Sequence, residues 1–149
     1  MNAIVVGVDY SAGAKQALRF ALEEARLRNA TLRAVHVWQF RYVGSTGMEG
    51  FLPPVGGELR DFRDEAEAAL DATLREAIPE TAGVEVERRV VEGAPAAVLV
   101  EESRDADLLV VGSRGHGGFA QLLLGSVSQQ CAHHAECPVV IVRAKADTN

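Results

Sequence analysis

Short apolar runs alternate with longer segments of helical periodicity along this chain, and the alternation restricts the possible folds more than any other feature. Four apolar runs have the length of β-strands and lie at residues 3–8, 31–37, 107–111 and 139–142. Between the first two runs, alanine and leucine recur at helical spacing from Ala14 to Ala25. Strands that alternate with helices pair in parallel, and the helices cover both faces of the sheet. The sequence therefore predicts an open, doubly wound, Rossmann-like α/β sheet.

A fifth strand and two further helices complete the pattern. Residues 84–91 alternate apolar with charged side chains, as an edge strand does, so we expect this third strand to be outermost. A helix is predicted from Leu59 to Ala77, and a short helix begins near Pro95, whose ring suits the first helical turn. Residues 39–57 contain seven glycines and prolines and predict a long loop.

The carboxyl ends of strands one and four are predicted to form a ligand crevice. Right-handed crossovers and one reversal of winding place these two strands side by side. Asp9 follows the first strand and Gly112 follows the fourth. Asp9 suits hydrogen bonds to a ribose or base, or a phosphate-bound Mg²⁺. The alternative is that Asp9 caps the first helix. That helix is predicted to begin near Ser11, itself a candidate N-cap, and to end near Asn29.

Glycines gather directly behind the fourth strand. Gly112-Ser113-Arg114-Gly115 is followed after nine residues by Gly125-Ser126. Tight glycine turns expose backbone N–H groups that bind anions. Ser126 also falls in the first turn of a helix predicted through Val127, Cys131 and His134, where the helix dipole favours negative charge. We interpret this stretch as a cradle for the phosphates of a nucleotide.

Better-known nucleotide and catalytic motifs do not account for these glycines. A Walker loop requires a Gly-Lys pair, which the chain lacks. Residues 115–120 match a dinucleotide fingerprint, but they follow the fourth strand and lack the later acid that would bind a ribose. No nucleophile elbow, His-Glu-x-x-His pair or paired carboxylates stand out, so the sequence predicts no catalytic residues.

Composition and charge limit the partners and the compartment. A chain of 149 residues with 48% apolar side chains predicts one domain over residues 1–149. A net charge of −6 without a Lys or Arg cluster argues against nucleic acid as a partner. Without a basic leader or a membrane-length apolar run, we expect a cytoplasmic protein that does not enter membranes.

The two cysteines, Cys131 and Cys137, are expected to be free thiols. Two are too few for a disulfide framework. They are also not predicted to bind zinc, because a spacing of six residues on one helix does not place both thiols on the same face. No metal-ligating side chains are predicted elsewhere.

The glycine spacing and its flanks resemble a known family. Gly112-x2-Gly115-x9-Gly125-Ser126, with Val6-Gly7-Val8-Asp9 at the start, is similar to the ATP-binding class of the universal stress protein family. His36-Val37, His134 and Cys137-Pro138-Val139 resemble the family's stretches in their usual order. The resemblance spans nearly the whole chain. It implies five parallel strands in the order 3-2-1-4-5, a dimer, and ATP or a related adenine nucleotide with Mg or Mn.

The resemblance also implies which residues bind the nucleotide. The phosphates are expected on Gly112, Gly115, Gly125 and Ser126. The adenosine is expected between the end of strand one and the end of strand two, a site lined by Gly7, Asp9, Val37, Val111 and Val127. Arg114 is expected to neutralise phosphate charge, the alternative being an arginine that is merely solvated. Tyr10 departs from the residue that many members of the family have, and the 39–57 loop is a region that varies within the family. Neither difference removes a phosphate contact.

The last strand predicts a contact between two copies of the chain. Its four consecutive β-branched residues, Val139, Val140, Ile141 and Val142, would leave an apolar sheet edge in water. A symmetric pairing of two copies covers such an edge, and the resemblance implies the same strand. The alternative is an ordinary edge protected by Arg143 and Lys145.

The favoured function is an adenine-nucleotide-binding regulatory module of the stress response, whose occupancy an unidentified regulatory protein senses without obligatory catalysis. The enzymatic alternative is slow ATP hydrolysis. Adenylyl chemistry is disfavoured, because the His-x-Gly-His and Ser-Gly-Gly-x-Asp-Ser signatures that such enzymes share are absent. A third alternative is a protein-interaction module that binds cyclic AMP or no ligand.

Overall fold

The computed structural model describes residues 2–9, 11–39, 56–81, 83–113 and 124–143, with the backbone alone for residues 56–60. Strands and helices alternate through these residues as the sequence predicts. In chain order they are β1 (Ala3–Gly7), α1 (Ala12–Arg28), β2 (Thr31–Trp38), α2 (Gly56–Ala77), β3 (Val86–Glu92), α3 (Pro95–Glu102), β4 (Leu108–Gly112), α4 (Ser126–His134) and β5 (Val139–Val142).

The strands form a parallel five-stranded sheet in the order β3-β2-β1-β4-β5. This confirms the predicted topology and the predicted place of β3 at one edge. The winding reverses between β1 and β4, where Ile4 lies opposite Leu108 and Val6 lies opposite Val110. In open α/β sheets the crevice outside such a reversal is where ligands bind.

Each face of the sheet has its own apolar core. One core, which includes Ile4, Val6 and Leu18, lies between the sheet and the α1 and α2 helices. The other includes Val5, Leu99 and Cys131 and lies between the sheet and α3 and α4. Because successive side chains of a strand point to opposite faces, β1 supplies both cores, and Ile4, Val5 and Val6 have no exposed surface.

The ends of α1 follow directly from its sequence. The Ser11 side chain accepts a hydrogen bond from the Ala14 N–H at 3.2 Å, which makes Ser11 the predicted N-cap. Asn29 ends the helix with a φ of 57°, a left-handed conformation that asparagine tolerates. Along the helix Ala14, Ala17, Ala21 and Ala25 are buried, so their small side chains let the helix lie close to the sheet.

Several boundaries differ from the prediction: β2 ends at residue 38 rather than 37, β3 covers residues 86–92 rather than 84–91, and β4 covers residues 108–112 rather than 107–111. The α2 helix begins at Gly56, inside the predicted 39–57 loop, because the first amides of a helix need no helical acceptor and glycine is tolerated there. β1 ends at Gly7 rather than at residue 8, although the Val8 N–H still donates to the Val35 carbonyl at 2.8 Å. Residues 40–55 of the predicted loop, and Tyr10, lie outside the described residues. Within the described ranges, no helix has both the length and the apolar character that crossing a membrane requires.

Candidate functional site

The two halves of the glycine pattern meet at the carboxyl end of β4. The Gly125 N–H donates a hydrogen bond of 2.6 Å to the Ser113 carbonyl. The Ser128 hydroxyl lies 3.1 Å from the same carbonyl and is buried. Gly112 and Ser113, where the chain leaves the sheet, therefore lie beside Gly125 and Ser126, where α4 begins. Arg114 and Gly115, which the sequence places in the same site, lie outside the described residues.

The N-terminus of α4 differs from that of α1. Gly125 is its N-cap, with extended backbone angles (φ −78°, ψ 170°), and no side chain of the described residues caps it. The first N–H groups of a helix have no helical acceptor, so those of Ser126 and Val127 are donors at a positive dipole end. At α1, by contrast, the Ser11 side chain accepts a hydrogen bond from the N–H of Ala14, the third residue of the helix. Of these two helices, α4 has the N-terminus suited to an anion.

Asp9 supports the residue that caps α1, whereas the capping alternative made Asp9 itself the cap. Its Oδ1 accepts hydrogen bonds from the Ser11 N–H at 2.8 Å and from the Ser11 hydroxyl at 2.5 Å. The carboxylate thereby orients the serine that caps α1. A carboxylate has lone pairs for further donors, so this role leaves room for a ligand contact.

Gly7 has a packing reason to be glycine. A Cβ at this position would lie 2.8 Å from Cδ1 of Leu99 and 3.3 Å from its Cδ2. Leu99 belongs to α3 and is 4% exposed, so it lies against β1 where another strand residue would carry a side chain. The family resemblance predicts that Gly7 lines the ligand site, and this packing against α3 does not test that prediction.

His36 was not among the predicted site residues, although it fixes the end of β1. It is 4% exposed, and its Nδ1 lies 2.7 Å from the Val8 carbonyl oxygen. A carbonyl only accepts, so Nδ1 carries the proton in this contact. Residues of β2 thus bond both the N–H and the carbonyl of Val8, and this fixes the backbone directly before Asp9. One sign in the sequence indicated that His36 could be a site residue, namely a histidine inside a mostly apolar strand.

The three valines assigned to the site share one face of the sheet. Val111 is buried in the core under α3 and α4, and Val37 and Val127 pack against that core. They belong to β2, β4 and α4, the elements that surround the carboxyl end of β1 on this face. The prediction that they line an adenosine site is consistent with this placement and stays a prediction.

The thiols and acids form no metal centre in the part of the chain that the structure describes. Cys131 is buried and Cys137 half-buried, and both are free thiols. Burial raises the pKa of Cys131 to about 11 and also raises the pKa of Cys137, which a hydrogen bond from Ser103 partly offsets. Among the described residues, no group of three or more His, Cys, Asp or Glu is arranged to hold a metal ion.

Comparison with known proteins identifies the family. The sequence profile described as "Universal stress protein family" matches residues 1–143. The chain belongs to the universal stress protein family. A universal stress protein of Mycolicibacterium smegmatis is 37% identical over 145 residues, which are 95% of this chain and 46% of that relative. This universal stress protein chain spans about half the length of the curated relatives it matches.

Solved universal stress proteins share the fold. UspA from Lactobacillus plantarum superposes with a TM-score of 0.77 at 22% identity, covering 95% of this chain and 97% of its own. A universal stress protein in complex with cAMP is 31% identical, with a TM-score of 0.65 and coverage of 95% and 96%. One from Archaeoglobus fulgidus in complex with dAMP is 25% identical, with a TM-score of 0.61 and coverage of 95% and 98%. Nucleotides with an adenine base are thus bound by proteins of this fold and family.

Proposed function

We propose that this chain is a nucleotide-binding regulatory domain that takes up ATP with Mg or Mn and does not need to hydrolyse it. The observation that carries the proposal is the N-terminus of α4, which no side chain among the described residues caps and which begins beside the end of β4, at the winding reversal of the sheet. Free amides at a positive helix end bind phosphate. The cAMP and dAMP complexes of the relatives point to adenine as the base.

The residues present fit a phosphate group at this position. Ser126 contributes its N–H and hydroxyl, and Val127 contributes its N–H, because neither amide has a helical acceptor. The Gly125 N–H is already bonded to Ser113, so Gly125 contributes the absence of a side chain, which allows close approach to the backbone. The adenosine would lie toward Asp9 and Val37. A divalent ion on the phosphates would neutralise part of their charge and orient them.

Dimerisation through β5 is part of the proposal. All four residues of β5 are half-buried, and none is charged. The opposite edge, β3, exposes Glu87, Arg88, Arg89 and Glu92. Charged edges resist pairing with other chains, whereas uncharged β-branched edges invite it. We place the dimer contact on Val139, Val140, Ile141 and Val142, and we expect the protein to work in the cytoplasm as one domain over residues 1–149.

A binding experiment tests the nucleotide assignment. Acid extraction of the purified protein identifies any retained nucleotide, and calorimetry with ATP, AMP and cyclic AMP ranks the ligands. Gly125→Val should raise the Kd for ATP about tenfold or more, since a branched side chain blocks approach to the α4 amides. Ala94→Val is the matched control, because Ala94 is the N-cap of α3 with similar extended angles (φ −80°, ψ 128°), and no side chain in the described part of the chain caps that helix either.

Three outcomes distinguish the alternatives. ATP that stays intact over hours with excess Mg supports the regulatory domain. Conversion to ADP that disappears in Gly125→Val favours the ATPase. A preference for cyclic AMP, or no binding to any of the three ligands, contradicts the ATP assignment and leaves the interaction module.

Sedimentation of edge variants tests the dimer. Val140 and Val90 are both half-buried and both pack against the core under α1 and α2, but they lie on opposite edge strands. Val140→Lys should convert a dimer to a monomer, because the contact would bury two opposed ammonium groups. Val90→Lys should leave the dimer intact. Equal sedimentation of both variants and the parent contradicts a contact through β5.

A further inference from the structure

We propose that Ser128 is a positioning residue of the nucleotide site, which sets the distance between the α4 amides and the end of β4. Its side chain is 2% exposed, and its hydroxyl lies 3.1 Å from the Ser113 carbonyl and 3.0 Å from the Gly125 carbonyl. Ser128 does not itself contact the phosphates in this proposal. The inference rests on the proposed nucleotide site, and it assigns to that site a residue that its glycine pattern does not include.

The contact with the Gly125 carbonyl does not by itself explain why residue 128 carries a buried hydroxyl. The Gly125 carbonyl already accepts its helical hydrogen bond from the Gln129 N–H at 3.0 Å. A side-chain hydroxyl that bonds the carbonyl three or four residues earlier is common in helices and slightly destabilises them. The contact with Ser113 is different, because it joins a helix to a strand across fifteen residues of sequence.

Ser113 is the fixed point of this arrangement. Its N–H donates to the Val142 carbonyl at 2.9 Å, so β5 holds it from one side. Its carbonyl accepts the Gly125 N–H at 2.6 Å and the Ser128 hydroxyl at 3.1 Å, so α4 is held from the other side. These two bonds to the Ser113 carbonyl, which we call the loop closure, join the two ends of residues 114–124.

The loop closure determines the position of the first N–H groups of α4, which have no helical acceptor. Ser126 and Val127 lie between Gly125 and Ser128 in the chain, and both of those residues bond to Ser113. Useful hydrogen bonds to a phosphate have donor–acceptor distances of about 2.7–3.2 Å, so a small displacement of the helix start weakens them. Without the hydroxyl, the Ser113 carbonyl would keep only its hydrogen bond from Gly125, and the first turn of α4 would be less firmly positioned.

A buried serine elsewhere provides a matched control. Ser103 has no exposed surface, and its hydroxyl lies 3.2 Å from the Val100 carbonyl, three residues earlier, as Ser128 lies relative to Gly125. Ser103 is the C-cap of α3, in the connection that leads into the opposite, amino end of β4. Ser103→Ala therefore removes a similar buried hydroxyl without touching the loop closure.

The experiment compares Ser128→Ala, Ser128→Thr and Ser103→Ala in the full chain. Urea denaturation gives the stability, hydrogen exchange of the Gly125 N–H in nucleotide-free protein reports the loop closure, and calorimetry with Mg-ATP gives the Kd. We expect both alanine variants to lose similar stability. Only Ser128→Ala should speed Gly125 exchange and raise the Kd about fivefold to tenfold, and Ser128→Thr should restore most of the affinity.

Two results overturn the inference. One is an equal effect of Ser128→Ala and Ser103→Ala on the Kd, which would make the loss a general consequence of lower stability. The other is Gly125 exchange that Ser128→Ala leaves unchanged, which would show that the hydroxyl does not hold the loop ends together. Failure of the parent protein to bind any nucleotide overturns the proposed function instead, and Gly125 exchange then decides the loop closure alone.

Discussion

Replacing Gly7 with alanine tests whether this glycine serves packing or the ligand. The added Cβ would lie 2.8, 3.3 and 3.6 Å from Cδ1, Cδ2 and Cγ of Leu99. The first distance is too short for a carbon pair, so Leu99 has to move. Leu99 is 4% exposed in a packed core, where forced rearrangement costs about 1–3 kcal/mol. Gly7 has no positive φ, so alanine itself is not strained and returns about 0.4–1 kcal/mol through the unfolded state.

A double-mutant cycle isolates the contact. Leu99→Ala removes all three atoms that the new Cβ would meet and costs about 2–5 kcal/mol as a buried leucine truncation. In that background Gly7→Ala no longer meets an obstacle and should be neutral or stabilising. The expected coupling free energy is therefore about 1–3 kcal/mol in favour of the double variant. Urea unfolding followed by the fluorescence of Trp38, the single tryptophan, measures all four free energies of unfolding.

Additive effects of the two substitutions would refute the packing explanation, because no contact would then link the two sites. The Kd for ATP provides a second readout. If Gly7 serves packing, Gly7→Ala should leave the Kd of the Leu99→Ala protein unchanged. A loss of affinity in that background would support the predicted place of Gly7 in the ligand site.

Three further predictions concern stability. Cys131 should make the protein less stable above pH 9, because the unfolded thiol loses its proton while the buried thiol, with its pKa raised to about 11, keeps it. Relative to Cys131→Ala, the free energy of unfolding should fall by about 1.4 kcal/mol per pH unit between pH 9 and 11. Parallel pH profiles of the two proteins would contradict this. Asn29→Ala should cost about 1 kcal/mol in urea denaturation while Asn29→Gly costs almost nothing, because φ is 57° there; equal costs would argue against the left-handed end of α1. Ser11→Ala should cost about 1 kcal/mol and Ser11→Asp much less, and a thermal melt that does not change would exclude a capping role.

The fold was predictable because it depends on patterns that are local in sequence. The buried strands appear as unbroken apolar runs, since both faces of a central parallel strand are covered, as they are for Ile4, Val5 and Val6. The alternation of apolar and charged residues over residues 84–91 indicated an edge strand, because edge strands carry charges that resist pairing with other chains. The order of the strands then followed from the handedness of crossovers and from the resemblance to a family.

The contacts that position the site were not predictable, because each joins residues that are far apart in the chain. His36 holds Val8 across 28 residues, and Ser128 holds Ser113 across fifteen. A histidine or serine within an apolar pattern gives no sign of its partner. For Asp9 the sequence left two roles open, because an acid after a strand suits both a helix cap and a ligand contact. Its contact with Ser11 was visible only in the structure.

Two glycines of the same motif show why a pattern of residue types does not define a binding site. Gly7 and Gly125 both lie at the carboxyl edge and both belong to the pattern that the family resemblance quotes. At Gly7 the space that a side chain would fill is taken by Leu99, so the cause is packing on α3. At Gly125 the amide is bonded to Ser113, and within the described ranges no side chain caps the helix that follows, an arrangement consistent with the proposed approach of a phosphate to the backbone. The substitutions Gly7→Ala and Gly125→Val should therefore have different effects. Gly7→Ala should lower stability in the parent protein but not in the Leu99→Ala background, whereas Gly125→Val should lower nucleotide affinity in both backgrounds.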